Sequence, residues 1–427
     1  MKRSTTTIRL AAVAAAGALV LAACGGGSDS GSSAKKDGGA TKGDGTLTIG
    51  QLLPQTGSLA FLGPPEFAGV DLAIKDINAA GGVLGKDVVG VKGDSGDTDS
   101  GIAPAEADKL LKAKSDVIVG AASSGVSLTV IDKIMSAGTV EFSPANTSTS
   151  FDEGDYSKPD LYFRTAPSDV LQGAVLANLL IEDGRQNVAI LARQDAYGET
   201  LAKEVTKNLK AAGSKVAVSV LYSEKNGPGD SQITQIADAK ADAVLLIAFE
   251  ETTTVIPKLV QAGAGPQDVP TYFVDGNTAN YGKGDAASLP DGTLKGTKGT
   301  IPGAKAGADF KTRLATVNPK LKDYAYSAES YDATVVSSLA AIAAGDDAGV
   351  AIAKEIPNIT KGGEKCDSFE KCAALLKKDK SADIDYDGVS GPIELGKTGS
   401  PTAASIGIYQ YDGKNKIAPV DYISGTI

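Results

Sequence analysis

Over most of the chain, short apolar runs alternate with amphipathic stretches in which apolar residues recur every three or four positions. The first apolar run, residues 47–53, predicts a buried strand. In the stretch that follows, the apolar residues are spaced by three, four and three positions, which is the spacing of one helix face. These residues are Phe67, Val70, Ile74 and Ile77. The pattern therefore opens with a strand followed by a helix.

This alternation occurs in two series. The first series predicts strands at residues 47–53, 88–91, 116–120 and 140–143, with further helices near residues 104–113 and 124–136. The second series predicts strands at residues 187–192, 215–221, 243–247 and 271–274, with helices at residues 169–181, 198–211, 231–239 and 253–261. Alternating strands and helices are joined by crossover connections, which give mostly parallel sheets. We therefore expect an α/β protein with two doubly wound lobes, each with its own parallel sheet.

The last part of the chain belongs to neither series. It contains a long helical stretch at residues 327–344, followed by strands near residue 393 and at residues 405–411. A strand needs a partner, so these late strands must join a sheet that forms earlier in the chain. The two lobes are therefore predicted to be discontinuous in sequence.

The composition favours binding over catalysis. The 427 residues suit two or three domains, and 42% of them are hydrophobic, which is enough for a substantial core. The absence of histidine excludes Ser-His-Asp and Cys-His catalysis and histidine-ligated zinc. A net charge of −10, without a basic block, argues against nucleic-acid binding. We therefore expect a protein that is not an enzyme, with no cofactor, no metal and no nucleic-acid partner.

The N-terminus has the pattern of an export signal. Three basic residues precede an apolar run at residues 10–21 that is too short to span a bilayer as a helix. The run ends in Leu-Ala-Ala-Cys24, which resembles the bacterial lipoprotein box, and this predicts a signal peptide at residues 1–23 and lipidation of Cys24. The alternative is a plain signal peptide with an incidental cysteine. Residues 24–45 are rich in Gly and Ser, which predicts a flexible linker to a lipid anchor on the extracytoplasmic face of the cell membrane.

The other two cysteines, Cys366 and Cys372, have five residues between them. In an exported protein, an isolated close pair predicts a local disulfide. The alternative is a redox-active pair, although such pairs more typically have two residues between the cysteines.

Several motifs, taken in their order along the chain, resemble those of one family. They are Thr56-Gly57, Ala73-Ile-Lys-Asp-Ile-Asn-Ala-Ala-Gly-Gly82, Asp94, Val117-Ile-Val-Gly120, Ser123-Ser124, Phe142-Ser-Pro-Ala145, Phe163-Arg-Thr165, Asp195-Ala-Tyr-Gly198, Ser330-Tyr-Asp-Ala333 and Gly388-Val-Ser-Gly-Pro392. The set is similar to type I periplasmic binding proteins, and within them to the leucine/isoleucine/valine-binding family that serves ABC importers. The resemblance covers nearly everything from residue 47 to the C-terminus.

The resemblance implies two α/β lobes joined by a three-segment hinge. Lobe 1 would contain residues 46–166 and 300–402, and lobe 2 would contain residues 167–299 and 403–427. A ligand would bind in the interlobe cleft, and the lobes would close over it. The implied partners are a small-molecule solute and an ABC permease with its ATPase subunits. A cleft that opens and closes favours a monomer.

The resemblance also implies a carboxylate site. Ser124 and Thr147 match family positions whose hydroxyls hold the ligand carboxylate, and Ala145 matches a position whose backbone binds it. Ser124 also follows a strand and opens a predicted helix, where free backbone N–H groups favour an anion. The alternative for Ser124 is an ordinary helix N-cap.

On the other side of the cleft, Asp275 would accept hydrogen bonds from the ligand ammonium, although an Asp-Gly turn is the alternative. Tyr197 matches an aromatic residue that lines the cleft, and Phe249 and Tyr326 lie near further aromatic wall positions. Each of these three aromatic residues has the alternative of packing within its own lobe. Leu62 stands where some family members carry an aromatic residue, which leaves the side-chain specificity open.

We therefore expect a solute-binding lipoprotein of an ABC importer that binds an amino acid, with leucine, isoleucine and valine as the first candidates. The alternative is a receptor of the same fold that binds an amide, urea-like or aromatic solute and acts in sensing.

Overall fold

The computed structural model describes residues 42–157, 160–285, 287–379 and 381–427. The predicted signal peptide, Cys24 and most of the predicted linker lie outside the described residues.

The secondary structure alternates through most of the described chain. The strands are β1 (Thr48–Leu53), β2 (Val89–Asp94), β3 (Val117–Gly120), β4 (Val140–Ser143), β5 (Tyr162–Arg164), β6 (Asn187–Arg193), β7 (Lys215–Tyr222), β8 (Ala243–Ile247), β9 (Thr271–Phe273), β10 (Lys298–Pro302), β11 (Glu364–Cys366), β12 (Ile384–Gly388), β13 (Gly391–Pro392), β14 (Ala403–Tyr411) and β15 (Ile417–Thr426). The α-helices are α1 (Gly63–Ala79), α2 (Ala103–Lys112), α3 (Ser124–Ser136), α4 (Asp169–Glu182), α5 (Ala196–Ala211), α6 (Asp230–Asp238), α7 (Thr252–Gln261), α8 (Ala308–Leu314), α9 (Ser327–Ala344), α10 (Gly349–Ile359) and α11 (Phe369–Lys378). Short 3-10 helices occur at Thr149–Phe151, Gly154–Ser157 and Asp275–Asn277.

The first sheet has five parallel strands in the order β2-β1-β3-β4-β5. Every residue of β1, β3 and β4 is buried. A parallel sheet is covered on both faces, which explains why β3 is a continuous apolar run and why even Gln51 in β1 and Glu141 in β4 are buried.

The second sheet has seven strands in the order β15-β14-β10-β9-β8-β6-β7. The five strands from β10 to β7 are parallel, whereas β14 and β15 form an antiparallel hairpin at one edge. Strands from the end of the chain therefore complete a sheet that begins more than 200 residues earlier, as the sequence predicted. A third, small sheet contains β11, β12 and β13.

The core beside the first sheet includes the later helices. Nearly all of α9 is buried, and this helix packs against α1 and α10. Side chains of β1, β3 and β4 share one hydrophobic cluster with side chains of α9, α10, α11 and β12. The chain therefore passes between the two halves three times: after β5, after β10 and before β14. The lobe boundary expected between residues 299 and 300 cuts through β10, which pairs over its whole length with β14 in the second sheet.

The fold class and the alternating elements of both series are confirmed by the structure. The sequence did not predict β11 and β12 of the small third sheet, nor did it predict β5, β10 and β15. Strand β5 has only three residues, β10 contains a glycine and a proline, and β15 is largely exposed, so none of them has a clear apolar pattern. The strand expected near residue 393 is the two-residue β13, which ends at Pro392.

In the part of the chain that the structure describes, no single helix is long and apolar enough to cross a membrane. Helices α9 and α10 meet that test only as a pair, with a bend of 106° between them. The described residues also contain no group of three or more His, Cys, Asp or Glu side chains arranged to hold a metal ion.

Candidate ligand-binding cleft

A small cavity lies where the two halves meet. Its volume is about 10 Å³, roughly the space of one water molecule. The lining residues are Leu59, Leu62, Ala122, Ser123, Ser124, Ala145, Tyr197, Phe249, Asp275, Gly276 and Tyr326. Six of the seven predicted ligand-binding residues are in this set, and Thr147 is not.

The two serines at the start of α3 have different roles. Ser123 is the N-cap, because its Oγ accepts a hydrogen bond from the backbone N–H of Val126 at 3.4 Å. Ser124 is the first helical residue, and its Oγ accepts a hydrogen bond from the backbone N–H of Ser148 at 3.4 Å. Since Ser123 fills the capping role, the Ser124 hydroxyl can donate to a bound group. The positive end of the α3 helix dipole favours an anion here.

Ala145 and Thr147 lie on the loop after β4. The backbone N–H of Ala145 donates to Ser143 Oγ at 3.2 Å, and Ala145 itself lines the cavity. Thr147 is only 1% exposed, and its hydroxyl makes no hydrogen bond of normal geometry with the described residues. Burial and the charge of Asp275 raise the pKa of Asp169 well above its ordinary value, and the nearby Thr147 hydroxyl opposes that rise. Thr147 thus belongs to a polar layer behind the cavity.

Three donors converge on the carboxylate of Asp275, which follows β9 in the second half. Oδ1 accepts hydrogen bonds from Tyr197 Oη at 2.6 Å and from Gln172 Nε2 at 2.9 Å. Oδ2 accepts a hydrogen bond from Tyr326 Oη at 2.7 Å. Burial, together with the charge of Asp275, raises the pKa of both phenols well above the ordinary value, so both remain protonated and donate. Asp275 is therefore held in one orientation as an acceptor at the cavity wall.

The aromatic wall of the second half is supported by an arginine. The rings of Tyr197 and Phe249 are stacked, with 5.5 Å between centroids and 22° between planes. The guanidinium of Arg193 lies 3.5 Å from the centroid of Phe249, on which it makes a cation–π contact. Arg193 is also ion-paired with three carboxylates, those of Asp195, Glu224 and Glu251. This network fixes the position of the Phe249 ring.

Tyr326 precedes α9, whose other residues pack beside the first sheet. Its φ of 57° lies in the left-handed region, which is rare for a non-glycine residue and is found preferentially at functional sites. The side chain is buried, lines the cavity and reaches across it to Asp275. Tyr326 therefore connects the two halves through one hydrogen bond.

Comparison with known proteins identifies the family of the chain. The sequence pattern of the family described as periplasmic binding protein matches residues 46–415. The chain belongs to this family. Together with its Leu/Ile/Val-binding relatives and its fold, this match makes it a type I periplasmic binding protein of the leucine/isoleucine/valine-binding group.

Two relatives and one solved structure illustrate the similarity. A Leu/Ile/Val-binding protein of Rhizobium johnstonii is 26% identical over 381 residues, covering 87% of this chain and 93% of its own length. A chemotactic signal transduction system substrate-binding protein of Halobacterium salinarum is 26% identical over 366 residues, covering 82% of this chain and 83% of its own length. The crystal structure of a leucine-binding protein from Thermotoga maritima superposes with a TM-score of 0.70 at 18% identity, covering 88% of this chain and 99% of the other.

Membership of the family makes this periplasmic binding protein a substrate-binding protein of ABC-type transport. It implies an extracytoplasmic location, a small-molecule solute and contact with ABC permease components. The relatives are solute-binding proteins, which is consistent with the expectation that the chain is not an enzyme.

Several residues around the cavity of this binding protein were missed by the sequence analysis. Leu59 lines the cavity, and Gln172 holds Asp275 from behind. Asp169 is fully buried one helical turn before Gln172. The sequence did contain a hint of Asp169 and Gln172, because both are polar residues in the otherwise apolar first turns of α4.

Cys366 and Cys372 form a disulfide in the structure, with their Cα atoms 5.4 Å apart. It joins the end of β11 to α11, and both cysteines are buried. Neither of them lines the cavity between the halves.

Proposed function

We propose that this periplasmic binding protein captures an amino acid, with leucine, isoleucine and valine as the first candidates, and delivers it to an ABC importer. The supporting observation is that Ser124 from the first half and Asp275 from the second half line one cavity. A zwitterion needs donors for its carboxylate and an acceptor for its ammonium, because an unpaired buried charge is costly. The cavity offers a hydroxyl at a helix N-terminus on one wall and a carboxylate on the other.

The apolar part of the cavity supports an aliphatic ligand side chain. Leu59 and Leu62 line it from the first half, and Phe249 lines it from the second half. A pocket of this kind, with few polar groups at fixed positions, is typical of small-molecule sites. Leu62 stands where some family members carry an aromatic residue. Its aliphatic side chain can contact the branched aliphatic side chain of the ligand.

We also propose the two-lobe division expected from the sequence, with one boundary moved from residue 299 to the end of β10: residues 46–166 and 303–402 form lobe 1, and residues 167–302 and 403–427 form lobe 2. A branched-chain amino acid is larger than a cavity of about 10 Å³, so it cannot enter while the halves are in contact. Binding then requires the lobes to separate and to close again over the ligand. Such closure reports loading only if the ligand binds the closed state more tightly than the open state.

The anchor is part of the same proposal. Lipidation of Cys24 would keep the protein at the extracytoplasmic face of the membrane, and the Gly/Ser-rich residues up to 45 would let it reach its permease. We propose that it works there as a monomer.

Titration calorimetry tests the ligand assignment. Protein freed of bound solute by unfolding and refolding is titrated with leucine, isoleucine and valine, and we expect binding of at least one of them. Asp275→Asn should weaken binding by at least tenfold. The matched control is Asp183→Asn, which alters a carboxylate that accepts from Tyr272 at 2.7 Å in the same half but does not line the cavity. No heat with any of the three amino acids would remove the branched-chain assignment.

A second candidate function is sensing, and it is favoured by one observation. The Halobacterium salinarum relative is named as a substrate-binding protein of a chemotactic signal transduction system. Under this alternative, an amide, urea-like or aromatic solute binds the same cleft and the closed form contacts a membrane receptor. Solute uptake by a strain that lacks the gene separates the two functions, because loss of uptake supports transport and normal uptake with lost chemotaxis supports sensing.

A further inference from the structure

A second cavity, of about 380 Å³, lies where the chain passes between the two halves, and we call it the hinge cavity. All three connecting segments border it: Thr165 and Pro167 follow β5, Gly303 follows β10, and Pro401 precedes β14. The hinge cavity shares no lining residue with the small cavity that contains Asp275. Pockets that bind small organic molecules usually have volumes of roughly 300–1,000 Å³. The hinge therefore has room for a ligand of its own.

Most of the wall of the hinge cavity is apolar. Proline, alanine and isoleucine side chains line it from both halves, among them Pro392, Ile393 and Ala403. Two of the hydroxyls in the wall, Ser405 Oγ and Ser424 Oγ, are hydrogen-bonded to each other at 2.8 Å. Such a wall suits the aliphatic part of a small molecule.

One charged side chain lines the hinge cavity, that of Glu329 in α9. It is only 4% exposed, and its Oε1 lies so close to Gly303 that any side chain at position 303 would collide with it. The φ of Gly303 is 113°, in the left-handed region, so a side chain there would also strain the backbone. Thr165 Oγ1 donates to the carbonyl oxygen of Glu329 at 3.0 Å. Glu329 is thus in contact with two of the three connecting segments.

The carboxylate of Glu329 has no cationic partner within the described residues. The groups that act on it are its own backbone N–H and the carboxylate of Asp332. Its charge acts in turn on Glu66 of α1, which is fully buried and whose two carboxylate oxygens also lack a hydrogen-bond partner. A buried carboxylate without a counter-charge is costly. The complement that this part of the hinge lacks is therefore a cation.

Neither a lysine of the chain nor a metal ion fits this role in the part of the chain that the structure describes. Three lysines border an adjoining crevice that Glu329 also lines, but none of them is among the groups that act on its carboxylate: Lys305, Lys311 and Lys322. The described residues also contain no group of three or more His, Cys, Asp or Glu side chains arranged to hold a metal ion. An organic cation with N–H donors and an aliphatic body complements both the carboxylate and the apolar wall.

We propose that the hinge cavity is a second binding site, separate from the cleft, for a small organic amine whose ammonium pairs with Glu329 and whose aliphatic part lies against the apolar wall. No covalent bond forms. The site does not depend on which solute binds in the cleft. Its occupant would contact all three segments that must bend when the lobes move.

Calorimetry with n-butylamine tests this site. The titration is done at pH 8.5, because burial raises the pKa of Glu329 to about 8 and its carboxyl is mostly ionised above that value. An alkylammonium, with a pKa close to the value of about 10.4 for lysine, is still cationic there. We expect one molecule to bind per protein, and n-butanol, which has the same aliphatic body without the charge, should bind at least tenfold more weakly. Glu329→Gln should weaken the binding of n-butylamine by at least tenfold. No binding to the wild-type protein, or equal affinity of the wild type and this variant, would overturn the inference.

A second variant covers the case in which Glu329→Gln does not fold. Ser424 lines the hinge cavity from the edge strand β15 and is exposed, so Ser424→Leu should fill the cavity with little effect on the core. This variant should lose n-butylamine binding. Asp275→Asn tests the other location, because an amine bound in the cleft would lose its carboxylate in that variant. Unchanged n-butylamine affinity in Asp275→Asn supports the hinge site, whereas loss of binding there with full binding in Ser424→Leu overturns it.

Discussion

Tyr326 and Asp275 are joined by a hydrogen bond of 2.7 Å that crosses the cavity between the two halves of the molecule. Tyr326 stands at the start of α9, which packs beside the first sheet, and Asp275 follows β9 in the second sheet. The same carboxylate is held from its own half by Tyr197 and Gln172. The bond from Tyr326 is therefore the one of the three that separation of the halves would break.

The first prediction concerns this bond. Tyr326→Phe removes a hydrogen bond that exists only when the halves are in contact, so it should weaken ligand binding by about tenfold, or about 1.4 kcal/mol. Calorimetry measures the change. The matched control is Tyr331→Phe, which removes a 2.9 Å hydrogen bond to Asp76 within the first half and should leave affinity unchanged. Equal effects of the two variants would show that the bond across the cavity has no special role.

The second prediction separates the two serines at the start of α3. Ser123→Ala removes the helix cap and should lower the free energy of unfolding by about 1 kcal/mol, with little change in affinity. Ser124→Ala should lower the stability as well, because the buried backbone N–H of Ser148 loses its acceptor, but it alone should weaken binding by at least tenfold, because it removes a donor for the ligand carboxylate. Urea unfolding and calorimetry measure the two quantities. A loss of affinity in Ser123→Ala as large as that in Ser124→Ala would contradict the proposed carboxylate site.

These residues also show what the sequence could predict. The strand and helix that flank Ser124 have strong apolar patterns, so the position of its side chain at the carboxyl end of a strand followed from local sequence. Asp275 and Tyr326 lie 51 residues apart, and only the fold brings them together. The resemblance to a family indicated both residues, but it did not predict that they bond to each other.

The residues that were not predicted from the sequence were missed for a common reason. Gln172 and Asp169 lie behind the cavity, and the contact of Gln172 with Asp275 depends on how α4 packs against the turn after β9. Helix periodicity identifies which residues share a face, but it does not show which partner that face meets. The missed strand β15 is similar, since its position is determined by pairing with β14 and not by an apolar pattern of its own.

The third prediction concerns Cys24. If this cysteine carries the lipid, Cys24→Ala should release the protein from the membrane fraction while leaving ligand binding unchanged. Fractionation and mass spectrometry of the mature N-terminus measure the outcome. Cys372→Ser is a control for the loss of a cysteine that has no role in anchoring. A Cys24→Ala protein that remains membrane-bound would contradict the lipoprotein assignment.

The fourth prediction concerns the disulfide between Cys366 and Cys372. A loop of this length, with a sequence separation of 6, should stabilise the fold by about 2 kcal/mol on the chain-entropy model. The double variant with both cysteines changed to serine should lose that amount in urea unfolding. Its affinity for ligand should stay within about twofold of wild type, because neither cysteine lines the cavity. A large loss of affinity would indicate a functional role for the pair.

The last prediction concerns Glu141, whose side chain is fully buried in β4. Burial raises the pKa of this carboxyl from 4.5 to about 8. Between these two values the unfolded chain is ionised while the folded protein keeps the proton, so the contribution of Glu141 to stability is fully present below pH 4.5 and is lost as the pH rises to about 8. Each pH unit in this window should lower the contribution of Glu141 to the free energy of unfolding by roughly 1.4 kcal/mol at most. The glutamine of the variant Glu141→Gln does not titrate. Urea unfolding should therefore show that the free energy of unfolding of wild type, relative to that of the variant, falls as the pH rises from 5 to 8.5. A difference that stays constant over this range would show that Glu141 is ionised in the folded protein at pH 5.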